Sequence, residues 1–227
     1  MIDILFWLKL AGNTEMGVLL GAGLLGLVRF RQLPGGLRYL AVLVWFGLAM
    51  EIVAAAYHYF HQPNLVLIPF DAAGELWLLS LVYGWALRAR RYSRWRPWVA
   101  GAFAAYAGLA SWLQQGRVQF HPDLLVAESL LVLGLVGLYF GKLLRELQVP
   151  RLRHDPMCWV SAGALLYFLG KLLIGLFSNY ALHHYSMALN QWVWFVHALL
   201  LNLLYGCYAI ALGLRPTPAA APIAAHQ

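Results

Sequence analysis

LRYLAVLVWFGLAMEIVAAAYHYF, residues 37–60, decides how the rest of the chain is read. Apart from Arg38 at its start, Glu51 and His58, the stretch is apolar, aromatic or small. An α-helix rises about 1.5 Å per residue and the hydrocarbon core of a bilayer is about 30 Å thick, so roughly 20 such residues cross it. The run is continuous, without the in/out alternation of a barrel strand, so it predicts a helix. It also poses the functional question. An ionisable side chain inside a bilayer costs at least ~2.5 kcal/mol on insertion scales, so Glu51 requires a reason to be there.

Six further runs of the same kind follow from the sequence: 4–28, 65–87, 97–115, 123–144, 156–178 and 190–214. The whole chain agrees with them. Its 227 residues are 62% hydrophobic and 11% charged, against roughly 45–50% and about 25% in soluble domains. Two cysteines are too few for a disulfide-stapled module, and the hydrophobicity excludes a disordered chain. The expected fold is all-α: one seven-helix transmembrane bundle over residues 1–214, then a short disordered cytoplasmic tail over 215–227. Pro97 and Pro156 are expected to open helices four and six, and Pro69 to kink the start of helix three. The first ten residues lack the basic start of a cleavable signal peptide, and no soluble domain is expected.

Basic residues set the orientation. Arg29, Arg31 and Arg38 flank the first loop; Arg88, Arg90, Arg91, Arg94 and Arg96 fill the third. Lys142, Arg145, Arg151 and Arg153 surround the fifth, and Arg215 follows the last run. These thirteen of the sixteen Lys and Arg fall on one side, so the N-terminus is expected outside and the C-terminus in the cytoplasm of an inner-membrane, multi-pass protein. The net charge of +7 then reflects topology and contact with the anionic lipid bilayer, and calls for no nucleic-acid partner. With no soluble domain, a cytoplasmic or membrane protein partner would dock on the arginine-rich loop 88–96.

Counting along each run places the ionisable residues in depth. Glu51, Asp71, Glu75, Glu128, Lys171 and His197 come from five runs and share the outer half of the bundle, with Glu15 near the middle of the first. Asp71 and Glu75, four apart, share a helix face, as do Tyr167 and Lys171. Charged groups in spans point into the bundle, so these six predict a polar, ligand-binding cavity, roofed by His61, His121, His183 and His184. A structural network around Lys171 is the plainer reading, but excess acid against one lysine argues for protons or a bound cation to balance it. His197 with Glu51, Asp71 and Glu75 are the candidate metal ligands, for zinc or another divalent cation. Gly17-x-x-x-Gly21 and Gly137-x-x-x-Gly141 read as packing faces within the bundle.

Known seven-helix families divide on these residues. A rhodopsin holds retinal on a lysine of its last helix, and here that helix has none, the only lysine away from the ends of a span being Lys171 in helix six, so retinal is not expected. The alkaline ceramidase and adiponectin-receptor-like hydrolases carry a zinc-binding His-x-x-x-His in the last helix; here His197 is followed at that spacing by Leu201. Sugar carriers of the 3+1+3 type are similar in length, helix count and orientation, and an uncharged helix four fits their linker, but they place prolines inside gating helices. Glu51…Tyr57 and Phe70-Asp71-x-x-Gly74-Glu75 resemble the bacterial seven-bare-helix membrane proteins of about this length that have no assigned activity. Modules similar to these act as input domains of signalling proteins. That resemblance implies a ligand- or cation-sensing or accessory membrane module; a membrane-embedded hydrolase and a small-solute transporter are the alternatives.

Overall fold

The computed structural model describes residues 2–113, 122–146, 154–183 and 187–214. The tail 215–227, His121 and His184 lie outside them. Every regular element is helical: α1 (Ile2–Arg29), α2 (Gly35–Tyr59), α3 (Ile68–Leu87), α4 (Arg90–Leu113), α5 (Pro122–Glu146), α6 (Pro156–His183) and α7 (Met187–Gly213), with a short 3₁₀ turn at Asn64–Leu67 before α3. Six are long and apolar enough to cross a membrane; α4 falls short of that measure. Its first turns carry Arg90, Arg91, Arg94 and Arg96, which lower its hydropathy.

Two expectations about proline change. Pro97 lies inside α4 instead of opening it, so most of the expected loop 88–96 is helix. The bond that its ring forgoes belongs to the carbonyl of Ser93, within a turn of the helix start. Pro69 occupies the first turn of α3, where an N–H has no partner to lose, and the chain breaks before it through the 3₁₀ turn.

Close contacts fix the helix directions. The Arg29 guanidinium at the end of α1 donates to the carbonyls of Leu212 and Gly213 at the end of α7, so these two helices finish together. Lys142 near the end of α5 donates to the carbonyls of Ala86 (2.9 Å) and Leu87 (3.1 Å) at the end of α3. Since α3 and α5 end at the same face, α4 carries the chain back across the bundle between them. Its Tyr106 hydroxyl accordingly reaches Asp123 at the start of α5.

Helix contacts close a ring in the order α1, α2, α3, α5, α6, α7 and back to α1, while α4 packs chiefly on the outside of α3. Small residues let the ring close. A Cβ on Gly74 would lie 2.2 Å from the Phe46 ring, one on Gly170 2.2 Å from Leu200, and one on Gly36 2.6 Å from Trp85. The two small-residue motifs behave otherwise. Gly17, Gly21, Gly137 and Gly141 have nothing within 4 Å of a built Cβ, so these faces look outward from the bundle. Buried leucines and the rings of Tyr83, Phe168 and Tyr208 fill the centre, and the polar groups gather beside them.

Candidate functional site

The centre of the ring holds one lysine between two acids. Lys171 of α6 lies 3.2 Å from Glu75 of α3 and 2.9 Å from Glu128 of α5. Its ammonium also stands 5.4 Å from the Tyr167 ring centroid and 5.3 Å from that of Phe168, within reach of cation–π attraction. Glu128 is wholly buried, and neither of its carboxylate oxygens makes an aligned hydrogen bond among the described residues. Burying a charge in this way requires a partner, and Lys171 supplies it to both acids.

Beside this triad a cavity of about 80 Å³ opens between α2, α3, α6 and α7. Each helix contributes one face. On α2 the lining residues are Leu43, Phe46, Gly47, Met50 and Glu51; on α3 they are Asp71 and Glu75. Tyr167 comes from α6, and α7 adds His197, Leu201, Tyr205 and Tyr208, whose spacings of four, four and three trace a single helical stripe. Gly47 leaves room for a ring here: a Cβ in its place would sit 3.1 Å from the Tyr205 hydroxyl, which would have to give way by a few tenths of an ångström. His197 is fixed between aromatic rings, 5.7 Å from Tyr167 and 5.8 Å edge-on to Trp194.

The six residues expected to share a cavity therefore divide. Glu51, Asp71, Glu75 and His197 line it; Glu128 and Lys171 do not, and join it through Glu75. Glu15 is buried in α1 near enough to Glu51 for their charges to interact, outside the lining itself. His58, two turns beyond Glu51 on α2, is exposed and takes no part, and His61 sits exposed in the turn after α2. Among the described residues, no three His, Cys, Asp or Glu side chains stand close enough to hold a metal ion. The proposed ligands His197, Glu51, Asp71 and Glu75 thus share one pocket without forming a zinc-type donor set, which needs three protein ligands converging on a point.

Sequence reading missed the aromatic wall. Tyr205, Tyr208 and Phe46 carry no charge to single them out among the many aromatic side chains of the apolar runs. The signal was present in the spacing from His197, which returns to the same face at Leu201, Tyr205 and Tyr208. Tyr208 is also wholly buried, and its hydroxyl has no hydrogen-bond partner among the described residues. Fold and site together define a helical bundle with membrane-length apolar helices and a charged, aromatic pocket at its centre. Comparison with protein-family models, curated proteins and solved structures finds no match, so function has to be read from this chemistry.

Proposed function

We propose that this protein is a seven-span inner-membrane protein, N-terminus outside and C-terminus cytoplasmic, whose central pocket binds a small cation as a sensing or accessory module. The imbalance of charge carries the reading. Glu51, Asp71, Glu75 and Glu128 gather in or beside the pocket, and the one lysine among them, Lys171, is engaged by two of these acids. An ionised carboxylate out of water is costly unless a counter-charge meets it. A bound cation meets that need. The expected partner surface is the arginine-bearing start of α4, where Arg94 is exposed.

A carrier of the 3+1+3 type is the second reading, favoured by one observation. In the ring order, α1–α3 and α5–α7 form two consecutive triplets with α4 outside them. Against it, α2, α3, α6 and α7 run unbroken past the pocket, whereas repeat transporters interrupt helices near the site. The hydrolase reading lacks a converged donor set among the described residues.

The test uses the full chain in lipid nanodiscs, its melting temperature followed against Na⁺, K⁺, Mg²⁺, Zn²⁺ and small organic cations. At least one cation is expected to stabilise the protein saturably, with the effect lost in Asp71→Asn. Flux of that cation into proteoliposomes would favour the carrier. No response to any cation would reject the binding reading.

A further inference from the structure

The walls of the pocket narrow the class of cation, on the footing of the cation-binding reading above. Its acids are of two kinds. Glu75 is already paired with Lys171, whereas Glu51 and Asp71 line the cavity without an ion-pair partner among the described residues. The same cavity is lined by aromatic side chains, Phe46, Tyr205 and Tyr208 among them. A compact metal ion prefers several converging oxygen, nitrogen or sulfur donors, and no such group of three acids, histidines or cysteines is present among the described residues. Carboxylates and aromatic side chains in one cavity suit a different ion, one whose charge is attached to an apolar body.

The protein already holds one such group. The Lys171 ammonium is bound by two carboxylates and lies over two rings. The same chemistry is repeated in the pocket without an occupant from the chain. A second observation points to a ligand independently of the acids. The hydroxyl of Tyr208, a residue of the pocket lining, is buried and has no partner among the described residues. Leaving such a group unmade costs more than the bond itself contributes, so a site that keeps it has a use for it.

Size sets the limit. A volume of about 80 Å³ has room for roughly five to eight water-sized groups at about 10–15 Å³ each. Side chains on a helix lean toward its N-terminus. Because α2 and α7 run in opposite directions, Glu51 and Tyr208 lean toward each other along the cavity.

We propose that the pocket takes a small organic ammonium ion, its charge against Glu51 and Asp71, its body against the rings of Tyr205 and Tyr208, and a polar group of the ligand meeting the Tyr208 hydroxyl. Choline and tetramethylammonium are probes of this chemistry, and 3,3-dimethyl-1-butanol repeats the shape of choline without the charge.

The experiment measures melting-temperature titrations of the full chain in nanodiscs with these three compounds, Mg²⁺ and Zn²⁺, using the wild type, Asp71→Asn and Tyr208→Phe. Both ammonium ions should stabilise the wild type saturably and the neutral isostere should not. Asp71→Asn should weaken both by at least about tenfold, as loss of a buried charge partner does. Tyr208→Phe keeps the ring, folds without a polar vacancy, and should weaken choline about five- to tenfold while leaving tetramethylammonium within about twofold. Equal stabilisation by the neutral isostere overturns the proposal, as does an unaltered choline response in Tyr208→Phe. A response to Mg²⁺ or Zn²⁺ alone overturns it while the cation-binding reading stands; no response to any of them overturns both.

Discussion

Lys171 is the side chain on which the centre of the bundle depends, because two acids with no other cation beside them among the described residues converge on it. Removing one partner of a buried ion pair costs about 3–5 kcal/mol, since the other is left charged and dry. Lys171→Met is therefore expected to lower the melting temperature sharply in thermal unfolding of the nanodisc-held protein. Adding Glu75→Gln and Glu128→Gln should restore much of the loss; a triple variant no better than the single one would show that Lys171 acts through packing alone. Tyr208→Phe has the opposite sign. Without ligand it removes a buried hydroxyl that lacks a partner among the described residues, so the melting temperature should stay level or rise, and a clear fall would reveal a hidden partner. At this scale the sequence was legible where an ionisable residue stood in an apolar run, though Glu128 and Lys171 reach the pocket only through Glu75. Glu51, Asp71, Glu75 and His197 all reached the pocket for that reason. Tyr205 and Tyr208 did not stand out, because a tyrosine is at home in a core, at an interface or in a site, and only the register between helices separates these.

Helices were legible as elements because crossing length and apolar continuity are properties of one segment at a time. All seven expected runs overlap helices of the structure. What the segments could not reveal is where they touch. Gly17-x-x-x-Gly21 has the pattern of a packing face but looks outward, while Gly74, in no such motif, admits the ring of Phe46 to the pocket wall. The α2–α3 crossing supplies a test. Gly74→Ala drives a methyl against Phe46, and overfilling a packed site costs typically about 1–3 kcal/mol. The variant should be less stable by that order and should weaken cation binding, since Phe46 lines the cavity. Combining it with Phe46→Leu should recover stability in the same unfolding assay. If Gly74→Ala alone unfolds and binds like the wild type, the close approach of the two helices is not what shapes the pocket.

The ring puts α4 in a distinct position, packed on the outside of α3 while the other six helices form the ring itself. Its apolar part, residues 97–113, would cover about 25 Å at 1.5 Å per residue, short of the full hydrocarbon core unless its arginines snorkel toward the headgroups. The parallel ends of α3 and α5, joined through Lys142, nonetheless require the chain to return between them, and α4 is the helix that does so. Arginine-rich helix termini at one end of the bundle are what the proposed orientation rests on, under the positive-inside rule. Labelling with an impermeant thiol reagent in intact cells decides both matters. In a background lacking Cys158 and Cys207, a cysteine at Gln62 should be modified and one at Ser93 should not; the reverse pattern would invert the orientation. A cysteine at Gln119 reports on α4 by itself. If α4 crosses, it labels with Gln62; protection together with Ser93 would contradict the parallel course of α3 and α5 and overturn this arrangement of helices.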